Sequence, residues 1–222
     1  DVGVVRDDEL GELAASFNRM QRGIAQREQQ IAHQAYHDHL TSLPNRASLQ
    51  LRLDQAIETA KASGQTLAVL LLDIDRFKEI NDTMGHAIGD RVLIELGRRL
   101  RDSLGDHDML ARFGGDEFVV LIEDRNAAQL APIADRLCQT VAQPVLIDAM
   151  ELYLDASLGM AVYPEHGSTA EELLRRADIA MYDAKQAHMR MQVYQPGRDA
   201  MHLYRLSLVN DLRRAIPAGE LE

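Results

Sequence analysis

The chain has 222 residues, 46% of them hydrophobic and 27% charged, enough for one domain of ordinary size with appendages. Its formal net charge of −11 argues against broad nucleic-acid binding, which needs a basic surface; an acidic protein that handles phosphates needs a metal and a few placed cations instead. A lone cysteine, Cys138, allows no intrachain disulfide and fits a reducing compartment, and the longest apolar run, Leu67 to Leu72, is too short to span a bilayer.

In chain order, "RDDELGELAASFNRMQRGIAQREQQIAHQAY" comes first, with Leu10, Phe17, Ile24 and Ile31 recurring every seven residues. Leu13 and Met20 fill the seam, and Arg27 and Gln34 break it, so the pattern predicts a helix that pairs as a parallel coiled coil and fades toward its end. In "HDHLTSLPNR", Leu43-Pro44-Asn45 reads as a turn closing in a helix N-cap, and Leu49, Leu53, Ile57 and Ala60 line one face of the helix that follows. His33, His37, Asp38 and His39 are not read as metal ligands, with no cysteine nearby, and His33 and His37 read as solvent-facing at a helix end. "TLAVLLLDIDRF" is a continuous apolar run and predicts a central strand covered on both faces. The next helix carries Val92, Leu93, Leu96 and Leu100. A hairpin follows, from Met109 to Phe113, through Gly114-Gly115, and back along Glu117 to Ile122. "NAAQLAPIADRLCQTV" reads as a helix, with Cys138 expected as a small buried side chain beside Leu130, Ala134, Leu137 and Val141. "PVLI" and "ELYLDASLGMAVYP" read as strands, "TAEELLRRADIAMYDAKQA" as a helix, "MQVYQP" as a last short strand, and residues from about 199 onward as helical.

Chemistry concentrates where the hydrophobic pattern is interrupted by acids. Asp73 and Asp75 end a buried strand and share one face, while Ile74 points into the core. If the hairpin pairs beside that strand, Asp116 approaches Asp73, and two carboxylates that close repel unless a cation lies between them. Magnesium, hard and oxygen-loving, is the natural candidate. The two glycines have two readings: a plain hairpin turn, or a place where phosphates approach the backbone. "RFKEINDTMGHAIGD" then supplies Lys78, helix-start amides, Asn81, Gly85, His86, Gly89 and Asp90. Asn81 and Asp90 are either cap and turn residues or a pair that reads guanine, the carboxylate taking N1–H and the 2-amino group and the amide serving the O6 side.

"RFGGDEF", "DIDRFKEINDTMGHAIGD", "DHLTSLPNR", "GMAVYPEHG" and "ADIAMYDAK", in this order over about residues 36–195, resemble the GGDEF-domain diguanylate cyclases. The resemblance implies an α/β (α+β) fold, a central mostly antiparallel sheet flanked by helices, like the palm of nucleotide cyclases and polymerases. It implies condensation of two GTP molecules into cyclic di-GMP with release of two pyrophosphates, using magnesium or manganese. Carried over residue by residue, Asp73 and Asp116 bind the metal with the Ile74 carbonyl. Glu117 assists in metal handling or in activating the attacking 3′-hydroxyl. Lys78 and Lys185 lie on the phosphates, Asn81 and Asp90 read guanine, and His86 and the Phe77 region shape the pocket. Each subunit holds one GTP, so catalysis requires a homodimer with two sites face to face, which the N-terminal coiled coil would orient.

Three departures stand out. Family members often carry an inhibitory product site, Arg-x-x-Asp, ahead of the glycines; here Asp108 is kept but the arginine position is Gly105, so weak product inhibition is expected. The stretch "DAKQAHMRM" is one residue short of the usual Gly-Arg-Asn arrangement, leaving Arg190 as the candidate phosphate contact. Position 76 is Arg where an apolar or aromatic residue is common. At the ends, "DDELGELAASFNRM" resembles the second helix of a HAMP module, and "LYRLSLVNDLRRAIPAGELE" resembles the opening helix of an EAL phosphodiesterase domain. The expected organisation is therefore a HAMP helix and coiled-coil linker over 1–35, the GGDEF domain over 36–196, and a linker with the start of an EAL domain over 197–222. It implies a cytoplasmic piece of a longer protein anchored in the bacterial inner membrane.

Overall fold

The computed structural model describes residues 34–200 except 126 and 149, together with residues 17, 18, 20, 21 and 23. Most of the expected coiled coil, His33 and the EAL-like segment lie outside the described residues. Among the described residues, no helix is long and apolar enough to cross a membrane.

The first long helix, α1 (Arg46–Ser63), begins where expected. The Asn45 side chain accepts from the amides of Ala47 and Ser48, and Gly64 closes the helix in the left-handed conformation. Strand β1 (Leu67–Ile74) follows, then α2 (Phe77–Met84) and α3 (His86–Asp102). Strands β2 (Met109–Gly114) and β3 (Glu117–Glu123) form the hairpin, and α4 is Ala127–Ala142. Next come β4 (Val145–Ile147), β5 (Met150–Leu152), β6 (Ala156–Tyr163), α5 (Ala170–Gln186) and β7 (Met191–Val193).

The five-stranded sheet has the order β2-β3-β1-β6-β7, so β1 is central as its unbroken apolar run requires. All its pairings are antiparallel except β6 with β7. Side-chain alternation divides β1 between two cores. Ala68, Leu70, Leu72 and Ile74 pack with α3 and α4, whereas Leu67, Val69 and Leu71 pack with α1 and α5. Each fully buried leucine contributes about 1.5–3 kcal/mol through apolar area removed from water.

Two expectations are corrected. The run from 151 to 164 is not one strand: β5 turns back on β4 in a separate two-stranded sheet, and β6 starts at Ala156 in the main sheet. Leu154 is buried in the main core between them, and Asp155 offers its carbonyl to the Asp75 amide, so the chain changes sheets there. The hairpin does not turn on Gly114-Gly115: Gly114 pairs with Glu117, a register shift lies between Arg112 and Gly114, and Gly115 and Asp116 form the turn. Of the two glycines only Gly115 has positive φ, 49°.

Candidate active site

The topology brings five chain segments to one pole of the sheet. β1 reaches it at its C-terminal end, and antiparallel pairing sets Asp73 opposite Glu117 on one side and Ser157 on the other. The β2–β3 turn, carrying Asp116, stands at the same pole. Because β7 runs parallel to β6 and pairs Met191 with Leu158, Arg190 arrives there too. α5 delivers Lys185 in its last turn.

Alternation puts Asp73 on the α5 face of the sheet, where the Lys185 ammonium donates to it at 2.5 Å and lies 3.6 Å from Asp75. Asp75 also accepts from the Ser157 hydroxyl at 3.1 Å. Partial burial pushes the Asp116 carboxyl above its ordinary pKa, and the Asp73 charge adds to that push. Burial does the same to Glu117, followed by the charges of Asp73, Asp178 and Asp116. Burial opposes the Lys185 charge, but Asp73 and Asp75 outweigh it and raise the ammonium. This is an excess of carboxylate charge, with the Lys185 ammonium bonded to Asp73 and the guanidiniums of Arg112 and Arg46 acting on Asp116 and Glu117.

The donors fit a hard cation: Asp73, Asp116 and the backbone carbonyl of Ile74 are all oxygen ligands of the kind magnesium takes. Among the described residues no three His, Cys, Asp or Glu side chains already form a metal cluster. The protein therefore offers a partial shell of the sort magnesium completes with water and substrate phosphates.

The turn is held by Arg112, which sequence reasoning left without a role although it stands in the quoted motif. Its guanidinium donates twice to the Gly115 carbonyl, at 3.0 and 2.7 Å, and once to Asp38 at 2.9 Å. Burial alone would raise Asp38, but bonds from the Thr41 amide and hydroxyl and from Arg112 outweigh it and hold the carboxyl low. Arg112 thus ties the β2–β3 hairpin to the segment before α1.

The nucleotide-reading candidates lie on α2 and α3, which pack on each other. Lys78 and His86 are exposed at the starts of these helices, and Asp90 is exposed in α3. Asn81 is half-buried, its amide oxygen lying 2.0 Å from where a Cβ on Gly89 would stand. Phe77 is buried in the core, its ring 3.2 Å from the same point, so it supports this corner from beneath. Arg190 shares a cavity of about 600 Å³ with Lys185, Asp75 and Ser157. Cys138 lines that cavity and is only partly buried, which corrects the expectation of a fully buried thiol: its helix face meets a cavity here.

Residues 35–191 match the family described as "Diguanylate cyclase, GGDEF domain". The chain belongs to this family. It is 40% identical over 210 residues to the bifunctional diguanylate cyclase/cyclic di-GMP phosphodiesterase MucR of Pseudomonas aeruginosa, covering 94% of this chain and 31% of that protein. It is 43% identical over 186 residues to the diguanylate cyclase TpbB of the same species, covering 80% of this chain and 43% of that protein. The chain thus spans less than half the length of either relative. The crystal structure of the TpbB GGDEF domain superposes with a TM-score of 0.68 at 42% identity, covering 70% of this chain and 98% of that one. The five-stranded sheet flanked by helices is the fold those cyclase structures share.

Proposed function

We propose that the chain is a diguanylate cyclase, a nucleotidyltransferase that condenses two GTP molecules into cyclic di-GMP and two pyrophosphates. The observation that carries this is the meeting of Asp73, Asp116, Glu117 and Lys185 at one pole of the sheet, with Asp73 in register with Glu117 and bonded to Lys185. Asp73, Asp116 and the Ile74 carbonyl hold a divalent ion, magnesium or manganese. When bound, that ion supplies Lewis-acid polarisation of the phosphates and lowers the pKa of an oxygen bound to it. Glu117, its carboxyl raised by burial and neighbouring charge, is suited to take up the proton of the attacking 3′-hydroxyl. That oxygen bonds to the α-phosphorus of the facing GTP as the bridging bond to pyrophosphate breaks. Lys78 and Lys185 stabilise the charge on the phosphates, Lys185 exchanging Asp73 for substrate oxygens. Asn81 and Asp90 select guanine and His86 borders the base.

Each subunit presents one half-site, so the active form is a homodimer oriented by the N-terminal coiled coil. The full-length protein joins this domain to an upstream HAMP module anchored in the inner membrane and to a downstream EAL domain; the 94% coverage of this chain by a bifunctional relative supports the latter. The catalytic domain itself is cytoplasmic. A second reading is kept by the segment after Lys185, which lacks the family's Gly-Arg-Asn: a GTP-binding module that regulates the EAL domain without making product.

The deciding experiment incubates the protein with GTP and magnesium at several protein concentrations and separates the nucleotides by chromatography. Cyclic di-GMP is expected to rise more steeply than protein concentration. Asp116→Ala is expected to lower product by about 10³-fold or more, in line with loss of a metal-borne electrostatic contribution. GTP binding without product in the wild-type chain, even when fused to a stable coiled coil, would favour the regulatory module.

A further inference from the structure

Lys185 reaches the pole between two carboxylates that are held in different ways. Its ammonium donates to Asp73 at 2.5 Å and lies 3.6 Å from Asp75. Asp73 is one of the oxygen donors assigned above to a divalent ion, and a carboxylate that gives its charge to such an ion keeps little for an ammonium. Asp75 is not in that donor set, and the sheet fixes it twice. Its backbone amide donates to the Asp155 carbonyl at 2.9 Å, which carries the β1–β6 pairing one step past Ile74 and Ala156. Its carboxylate accepts from the Ser157 hydroxyl at both oxygens, at 3.1 and 3.2 Å. Ser157 is 2% exposed and stands in register with Asp73. A hydroxyl buried so fully costs stability unless it is bonded, so the Ser157 proton pins the Asp75 side chain in one place. The Lys185 side chain, by contrast, is 41% exposed on a flexible four-carbon stem, and its ammonium rests where these carboxylates hold it.

We propose that Asp75, pinned by Ser157, is a positioning residue for Lys185: it retains the ammonium at the pole when Asp73 turns its charge to a cation, so that the ammonium meets the nucleotide's phosphates already in place. The proposal rests on the reading of this site as one for a metal-bound nucleoside triphosphate. Two neighbouring carboxylates thereby take separate tasks, Asp73 exchanging its partner and Asp75 keeping it. The 3.6 Å separation suits the second task, since Asp75 attracts the ammonium while leaving its three donors free to turn toward phosphate oxygens. An unheld lysine would give up its rotamer freedom at each encounter with substrate, whereas a held one has already done so.

The test begins without metal or nucleotide, with ¹⁵N-edited spectra of the lysine ammonium groups, Lys185 being identified by its absence from Lys185→Gln. A held ammonium exchanges slowly with water and gives a resolved signal. The Lys185 signal is expected to persist in Asp73→Asn, where Asp75 still holds it, and to vanish in Asp73→Asn/Asp75→Asn. Its loss in Asp73→Asn alone, or its survival in the double variant, would overturn the proposal. Magnesium added to Asp75→Asn is expected to abolish the signal as the double variant does; if it does not, the positioning role stands and the metal reading falls. Calorimetric titration with GTP in magnesium buffer then supplies a double-mutant cycle. Asp75→Asn is expected to weaken GTP binding about tenfold, the loss of one charge-assisted contact, but by less than about twofold when Lys185→Gln is already present. Equal weakening in both backgrounds would reduce Asp75 to a structural role. Ser157→Ala is expected to act in the same direction by a smaller amount, and it carries the same comparisons should Asp75→Asn not fold. A wild-type chain that binds ATP as tightly as GTP, with the cycle unchanged, would uphold the positioning and overturn the guanine reading instead.

Discussion

At the scale of single residues, the site depends on atoms that are missing as much as on those present. A side chain on Gly89 would overlap the Asn81 amide oxygen, at 2.0 Å, before it met anything else. Gly89 therefore sets where Asn81 rests, and Asn81 is the proposed partner of the guanine O6 edge. The obstacle is the end of a side chain, which swings away at little cost to the fold. Gly89→Ala is accordingly expected to raise the KM for GTP about tenfold, one good hydrogen bond's worth, while the melting temperature moves by only a few degrees. Steady-state kinetics beside thermal unfolding check this; a collapse of stability with unchanged KM would remove Gly89 from the specificity argument. Asp73, Asp116, Glu117 and Lys185 were legible because acids and a lysine interrupting apolar periods stand out. Arg112 was not, since a guanidinium reaches its partner through several rotatable bonds and sequence spacing does not say which partner.

At the scale of elements, the placement of Lys185 is a consequence of how α5 sits on β6. A Cβ on Gly159 would lie 2.1 Å from the Ala177 carbonyl oxygen and 2.1 Å from the Met181 amide nitrogen. The glycine thus lets the helix backbone lie directly on the strand, and the same helix then brings Lys185 to within 2.5 Å of Asp73. Backbone cannot step aside as a side chain can. Gly159→Ala is expected to cost about 3 kcal/mol or more by overpacking, read from the urea midpoint at unchanged m-value. A loss below about 1 kcal/mol would show that α5 lifts without penalty. The glycine stood in plain sight in "SLGMAVY", but a strand glycine marks a close approach without naming what approaches.

At the scale of the whole molecule, the proposed catalytic residues and the position of the family's product site lie at different places on the sheet. The proposed catalytic pole gathers the ends of β1, β3, β6, β7 and α5. The Asp108 corner precedes β2, where the buried carboxylate accepts from the Gly105 amide at 3.0 Å and its second oxygen has no partner. With glycine at 105, the guanidinium of the family's product site is absent from that position. Cyclic di-GMP added to the assay is therefore expected to leave the initial rate nearly unchanged at concentrations well above those of the enzyme. Strong inhibition accompanied by tight binding that Asp108→Ala abolishes would refute it.

The sequence by itself determined the helix and strand types, the cap at Asn45, the central place of β1 and the family with its acids, because these rest on local periodicity and on motif order. The tertiary structure decided the rest. It put Asp73 on the α5 face and in register with Glu117, moved the turn from Gly114-Gly115 to Gly115-Asp116, divided one apparent strand between two sheets, and opened a cavity beside Cys138. The physical reason is that alternation and spacing fix which side of an element a residue faces. Only the pairing of elements distant in the chain fixes what it faces there, and Lys185 meets Asp73 across a separation of 112 residues.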